Sequence, residues 1–102
     1  MRMWNVEPQR MCDQHLLGEH VECHMFVGCL NKNKSVKGYV DKGLVEIHNI
    51  EKRHDELARE MKIRGMNHKS KLPIYDIITL GKINSAQNKI ELNKRCHDCR
   101  GK

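Results

Sequence analysis

Aromatic residues are scarce in this 102-residue chain, which has only Trp4, Phe26, Tyr39 and Tyr75. Its core must therefore come mainly from Leu, Ile, Val and Met. With 38% apolar residues there is material for one small domain. A domain of this size buries roughly 60–70% of its surface on folding and has modest stability in reserve. No apolar run approaches the ~18 residues that span a bilayer. The charged start is not followed by a hydrophobic segment of signal type, so the chain reads as soluble and not processed for export. Five cysteines is an odd number, and reduced thiols in an intracellular compartment fit it better than a disulfide framework. A Ser-His-Asp arrangement, a phosphate-cradling glycine loop and a Cys-His nucleophile motif are all missing. So are internal repeats, low-complexity tracts and linkers.

What the chain does have is charge and helical periodicity. Lys and Arg number 19 against 13 Asp and Glu, a formal net charge of +6 with a pI near 9.2. The basic residues cluster: Lys32, Lys34, Lys37 and Lys42 in the middle, Lys52 to Arg64 on a helical stretch, and Lys94, Arg95, Arg100 and Lys102 at the end. Such clusters favour a polyanion such as nucleic acid, because each neutralised phosphate releases counterions. A modest positive charge also serves solubility alone.

Pro8 suits the first turn of a helix and opens an amphipathic stretch running toward Leu30. Met11, Leu16, Leu17, Val21, Phe26 and Val27 are available there for burial. Gly18 inside it costs ~1 kcal/mol relative to Ala. "NKNKSVKGYVDKG", residues 31–43, has turn composition and reads as a basic connecting loop. From Val45 onward, Ile47, Ile50, His54, Leu57 and Met61 recur at three- and four-residue steps, and Gly65 marks the stop. "MNHKSKLPIYDI" reads as a loop, its residues ahead of Pro73 biased away from helix. A last helix is expected from Asn84 or Ser85 to near "RCHDCRGK", with Ile83, Ala86 and Ile90 facing inward. The expected fold is all-α: a compact single domain, 1–102, of about three helices joined by basic loops.

The densest chemistry lies in "DQHLLGEHVECH", residues 13–24. At about 100° per residue, His15, Glu19 and Glu22 fall within roughly 60° of one another. Two acids on one face can separate their pKa values and leave one group suited to proton transfer; charged helix faces are also commonly just solvated. His20 and His24 make a second line with the i, i+4 spacing of a helix metal clamp. Such a clamp needs a third ligand, from Cys23, Cys12 or the pair Cys96 and Cys99. Cys96-x-x-Cys99 is half of a zinc knuckle, without a second pair at zinc-ribbon spacing. The bland alternative is solvent-facing or packed histidines with cysteines as small buried hydrophobes.

"DQHLLGEHVE" resembles the characteristic helix of the pyrimidine-dimer DNA glycosylases of the phage endonuclease V type. "FVGCLNK" is similar to the end of that family's first helix, and "EKRHDELAREMKIRGMN" to its second helix and exit. The resemblance covers about half the chain. It implies an all-helical single domain acting on damaged double-stranded DNA, as a glycosylase that excises cyclobutane pyrimidine dimers and as an AP lyase. In that family the α-amine of the N-terminus attacks the anomeric carbon, an imine forms, and β-elimination nicks the strand. The resemblance places the catalytic glutamate on Glu22. Counting back without gaps, it places the nucleophilic residue on Met1. A bulky Arg2 is expected to block methionine removal, so the Met1 amine itself is the expected nucleophile. An α-amine ordinarily titrates at ~7.7–8.0, which leaves a useful neutral fraction near neutral pH. Expected DNA contacts are Arg2, Gln14, His15, Lys32, Arg53 and His54, the last standing where the family has glutamine. Two phosphate-gripping arginines of the family correspond to Val21 and Met25, and the family's aromatic, basic tail is replaced by "NKRCHDCRGK". The resemblance implies no metal and no cofactor, a monomer, and a cytoplasmic, DNA-associated location in a bacterial or phage-infected host cell. Two other classes of function fit the same residues: a non-catalytic nucleic-acid-binding domain on this scaffold, and a small zinc-binding module using Cys96, Cys99 and first-helix histidines.

Overall fold

The computed structural model describes residues 1–68 and 71–101. Residues 69 and 70 of the expected "MNHKSKLPIYDI" loop, and Lys102 of the basic C-terminal cluster, lie outside the described residues. Five helices and no strand are found among the described residues: α1 (Asp13–Asn31), α2 (Lys37–Asp41), α3 (Ile50–Ile63), α4 (Ser85–Arg95) and α5 (His97–Arg100). The all-α expectation holds, and its three helices are α1, α3 and α4. A radius of gyration of 13.2 Å is that of a compact domain of this length.

The first helix starts later than Pro8 and the periodicity suggest. Pro8–Arg10 forms a separate 3-10 turn. The chain then extends through Met11, which is fully buried, and Cys12, which stands at the N-cap. Asp13 opens α1, where a negative charge suits the helix dipole. Leu16, Phe26 and Val27 are buried as expected, whereas Leu17 and Val21 are 45% and 47% exposed. Glu19, His20 and Cys23 take the inward positions instead. Polar residues on the buried face give α1 almost no net amphipathicity, so hydropathy alone misassigns its faces.

The "NKNKSVKGYVDKG" loop contains the short α2, closed by a Lys37–Asp41 ion pair of 2.6 Å at i, i+4 spacing. A 3-10 turn, Ile47–Asn49, leads into α3. Ile47, Ile50, His54, Leu57 and Met61 are all buried, as the spacing predicts. Gly65, at φ +76°, takes the left-handed conformation that ends the helix. Tyr75 pins the following segment back onto α3: its hydroxyl donates to the Ile47 carbonyl at 3.0 Å and accepts from the Glu51 amide at 3.1 Å.

Asn84 caps α4 by accepting from the Gln87 amide at 3.0 Å. Ile83 is buried, but Ala86 is exposed and Ile90 is 57% exposed, correcting the expected face. The helix turns Asn88 and Leu92 inward. Asn88 earns that place by hydrogen bonding: its Nδ2 donates to the Trp4 carbonyl at 2.9 Å, and its Oδ1 accepts from Arg2 at 2.9 Å.

Candidate active site

The N-terminal segment is held along its length before it reaches α1. The Met3 amide donates to the Leu44 carbonyl at 2.7 Å. Trp4 is fixed through Asn88, and Asn5 Nδ2 donates to Ser85 at 2.8 Å. Asn5 adopts φ +54°, a left-handed turn that Asn tolerates better than most residues. Arg2 lies with its guanidinium 3.7 Å from the centre of the Trp4 ring and 3.5 Å from Glu91.

These anchors bring the Met1 amine to 4.0 Å from Glu22 Oε1. The Glu22 side chain is partly exposed and the Met1 side chain largely buried, so the pair sits at the edge of the core, reachable from solvent. Burial raises the Glu22 pKa above the ordinary carboxylate range; the Arg2 backbone amide and the Met1 ammonium pull against that rise. Glu22 is thus a carboxylate with a cationic partner and a weakened hold on its charge.

Glu19 shares the predicted face but not the role. Arg53 grips both of its oxygens, Nε at 2.6 Å and Nη2 at 2.9 Å, with both side chains essentially fully buried. Arg53 also reaches Glu56 at 3.3 Å. The Glu19–Arg53 pair cross-links α1 to α3, and the Asn5 amide reaches the Glu19 carboxylate at 3.5 Å. Among the expected DNA contacts, Gln14 and Lys32 are exposed on α1 and at its end, and Arg2 is partly exposed. Arg53 is committed to Glu19. His54, only 3% exposed, faces a cluster of histidines rather than solvent. Both inner side chains are buried.

Metal-type donors gather in two places. Cys12, His15, Cys96 and Cys99 offer ligand atoms that all lie within 4.8 Å of one another, and so do His20, His54 and His68. His15, expected near DNA, therefore lies among thiols. The His20/His24 line finds its partners in His54 and His68, not in a cysteine. Burial, then His54, His68 and His24, lowers the His20 pKa to about 4. Cys23 stands apart, buried beside the Glu19–Arg53 pair with its thiol pushed up. His68 escaped sequence reasoning because it lies in a loop with no period. Cys12 and the Cys96/Cys99 pair are more than eighty residues apart, and only the fold shows that they meet.

A family model described as pyrimidine dimer DNA glycosylase matches residues 1–73. The chain belongs to that family. The match covers α1, α2 and α3 and makes DNA the substrate class of this pyrimidine dimer glycosylase family member. No curated protein and no solved structure shows significant similarity to it. No helix among the described residues is long and apolar enough to cross a membrane.

Proposed function

We propose that this family member excises cyclobutane pyrimidine dimers from double-stranded DNA, as a monomer, using the Met1 α-amine as nucleophile and Glu22 as its charged partner. One observation carries the reading: the amine and the Glu22 carboxylate lie 4.0 Å apart. The neutral amine attacks the sugar C1′, and the bond from C1′ to the base nitrogen breaks with its electrons leaving on the base. Loss of a proton from the amine and opening of the sugar ring give a C1′=N imine. The imine acidifies the C2′ proton, and its removal expels the 3′ phosphate oxygen and nicks the strand. Glu22, as an anion, stabilises the positive charge that develops on the sugar. It is placed next to accept protons from the amine or C2′. Its raised pKa suits a group that must take up a proton and release it again.

The surface beside the pair supplies little phosphate binding. Val21 and Met25, 47% and 48% exposed, form an uncharged stripe with Leu17 next to Glu22 along α1. Of the expected DNA contacts, Gln14 and Lys32 are exposed and Arg2 is partly exposed, which leaves them available to DNA. An apolar stripe at this position suits contact with a displaced base or an opened base step, whose unstacking costs a few kcal/mol that bound contacts must recover.

Borohydride trapping on UV-irradiated duplex tests the proposal. The expected result is a covalent protein–DNA adduct that disappears when the N-terminus is acetylated, and in Glu22→Gln with the fold intact. Trapping that survives acetylation excludes the Met1 amine as nucleophile. Pretreating the duplex with light-driven photolyase should remove the substrate; undiminished trapping after that treatment rules out cyclobutane dimers.

A further inference from the structure

We propose that Cys12, His15, Cys96 and Cys99 bind one structural zinc ion, which clamps the C-terminal α5 segment onto the start of α1. Zinc holds thiolate sulfur at about 2.3 Å and imidazole nitrogen at about 2.0–2.1 Å, so a tetrahedral site places two sulfurs about 3.8 Å apart and sulfur and nitrogen about 3.5–3.6 Å apart. Here Cys12 Sγ lies 3.8 Å from Cys96 Sγ. His15 Nδ1 lies 3.5 Å from Cys99 Sγ and 3.2 Å from Cys12 Sγ. Two of these separations match the tetrahedral values and the third is a few tenths of an ångström short, so the four donors, three sulfur and one nitrogen, can take the corners of a tetrahedron around the ion. The backbone supports the same reading: the Cys12 amide donates to Cys99 Sγ at 3.2 Å, and the Cys99 amide to Cys96 Sγ at 3.4 Å. Amide donors aimed at sulfur favour the thiolate, the form that ligates metal. The local fold also calls for it, since α5 is four residues long and Cys99 is the only residue it buries. These ligands join the matched part of the chain to the part beyond residue 73.

The protein purified without chelator should carry zinc at this site. After stripping, Co²⁺ titration should give tetrahedral d–d bands together with a sulfur-to-cobalt charge-transfer band. Cys96→Ser/Cys99→Ser should lose the charge-transfer band, and His15→Cys should keep a tetrahedral site with that band strengthened. The proposal falls if wild type shows no such band, or if His15→Cys leaves the spectrum unchanged.

The histidines carry a second, independent inference. Four imidazole Nε2 atoms, on His20, His24, His54 and His68, are buried with no hydrogen-bond partner among the described residues. Buried polar atoms are nearly always satisfied, and four unsatisfied ones facing each other call for a shared partner. Ring centroids of His20, His54 and His68 lie 4.6–5.3 Å apart, and His24 lies 5.0 Å from His20 and 4.9 Å from His54. His54 Nδ1–H donates to the Asp55 carboxylate at 3.0 Å. That bond fixes the tautomer and leaves the Nε2 lone pair facing the cluster, the arrangement typical of a metal-bound histidine. We infer that His20, His54 and His68, with His24 beside them, bind one divalent late transition ion. Zinc, nickel and cobalt share this preference for neutral imidazole. A cleft of about 290 Å³, lined by His20, His24 and His68 with Leu17 and Val21, gives the ion an entry path.

Equilibrium dialysis against Zn²⁺ or Ni²⁺ should show one metal equivalent fewer in His54→Gln and in His68→Ala than in wild type. Unchanged circular dichroism would show that the fold survives, and an unchanged cobalt–thiolate band that the cysteine site does. Equal metal content in wild type and both variants overturns the inference.

Discussion

Between Glu19 and Glu22 the helix advances about 300°, which leaves the two carboxylates some 60° apart. That small angle separates a buried, doubly gripped oxygen pair from one at the edge of solvent. Removing one partner of the inner pair strands the other as an unpaired buried charge, so Arg53→Met should lower unfolding stability by about 3–5 kcal/mol, read from urea denaturation. Glu22 behaves in the opposite sense. Its pKa is raised in the fold, so the protonated form is favoured, and its contribution to stability is present at low pH and lost as pH rises through the raised value. Glu22→Gln should therefore gain stability relative to wild type on going from acid to neutral pH, while losing activity. The acid side of the wild-type rate profile should show two breaks, the upper from the amine and the lower, from Glu22, above the ordinary carboxylate range; a lower break at or below that range would show that the fold does not raise the acting carboxylate. The role proposed for Glu22 comes from the resemblance, not from helical phase. Helical phase put both acids on one face and could not say which one would be covered by an arginine 34 residues away.

At the scale of elements, α1 exposes the uncharged stripe of Leu17, Val21 and Met25 where a DNA-facing helix commonly carries arginine. Val21→Arg and Met25→Arg should each add one phosphate contact, tightening binding to duplex DNA at low salt. Each should steepen the dependence of log affinity on log salt by about 0.9. Fluorescence anisotropy across a salt series measures both; an unchanged slope would place this stripe away from the DNA. Helix α3 buries the residues that its apolar spacing names, although the helix begins at Ile50, after a 3-10 turn, rather than at Val45, and the buried Arg53 lies outside that spacing. Helix α4 does not, because its inward anchor is an asparagine whose value lies in the two hydrogen bonds it makes, not in hydropathy.

Across the whole molecule, the segment between α3 and α4 closes over the core through backbone contacts that no sequence pattern announces. The Ile47 amide donates to the Leu80 carbonyl at 2.9 Å, and Glu46 Oε2 accepts from the Ile83 amide at 2.7 Å. Gly81 makes this possible. It stands at φ +95°, and a β-carbon there would collide with the Val45 carbonyl oxygen. Gly81→Ala should cost about 2–3 kcal/mol, detectable as a lowered thermal midpoint; an unchanged midpoint would mean that the segment shifts freely. The all-helical class and the three principal helices were readable from periodicity and punctuation. The donor clusters were readable only as candidate ligands: Cys12, Cys96, Cys99 and the first-helix histidines could be named, but His68 could not, and which of them meet is a property of packing rather than of spacing.

The anchoring of residues 3–5 has an evolutionary corollary. A nucleophile that is the chain's own first amine has no codon of its own. On the proposed reading, no single substitution beyond Arg2 deletes the reactive nitrogen, whereas a small residue at position 2, by permitting methionine removal, or one residue added in front of Met1 displaces it by a full peptide unit, about 3.8 Å. Such a protein is tolerant of point mutation at its reactive atom and intolerant of any shift in where translation begins.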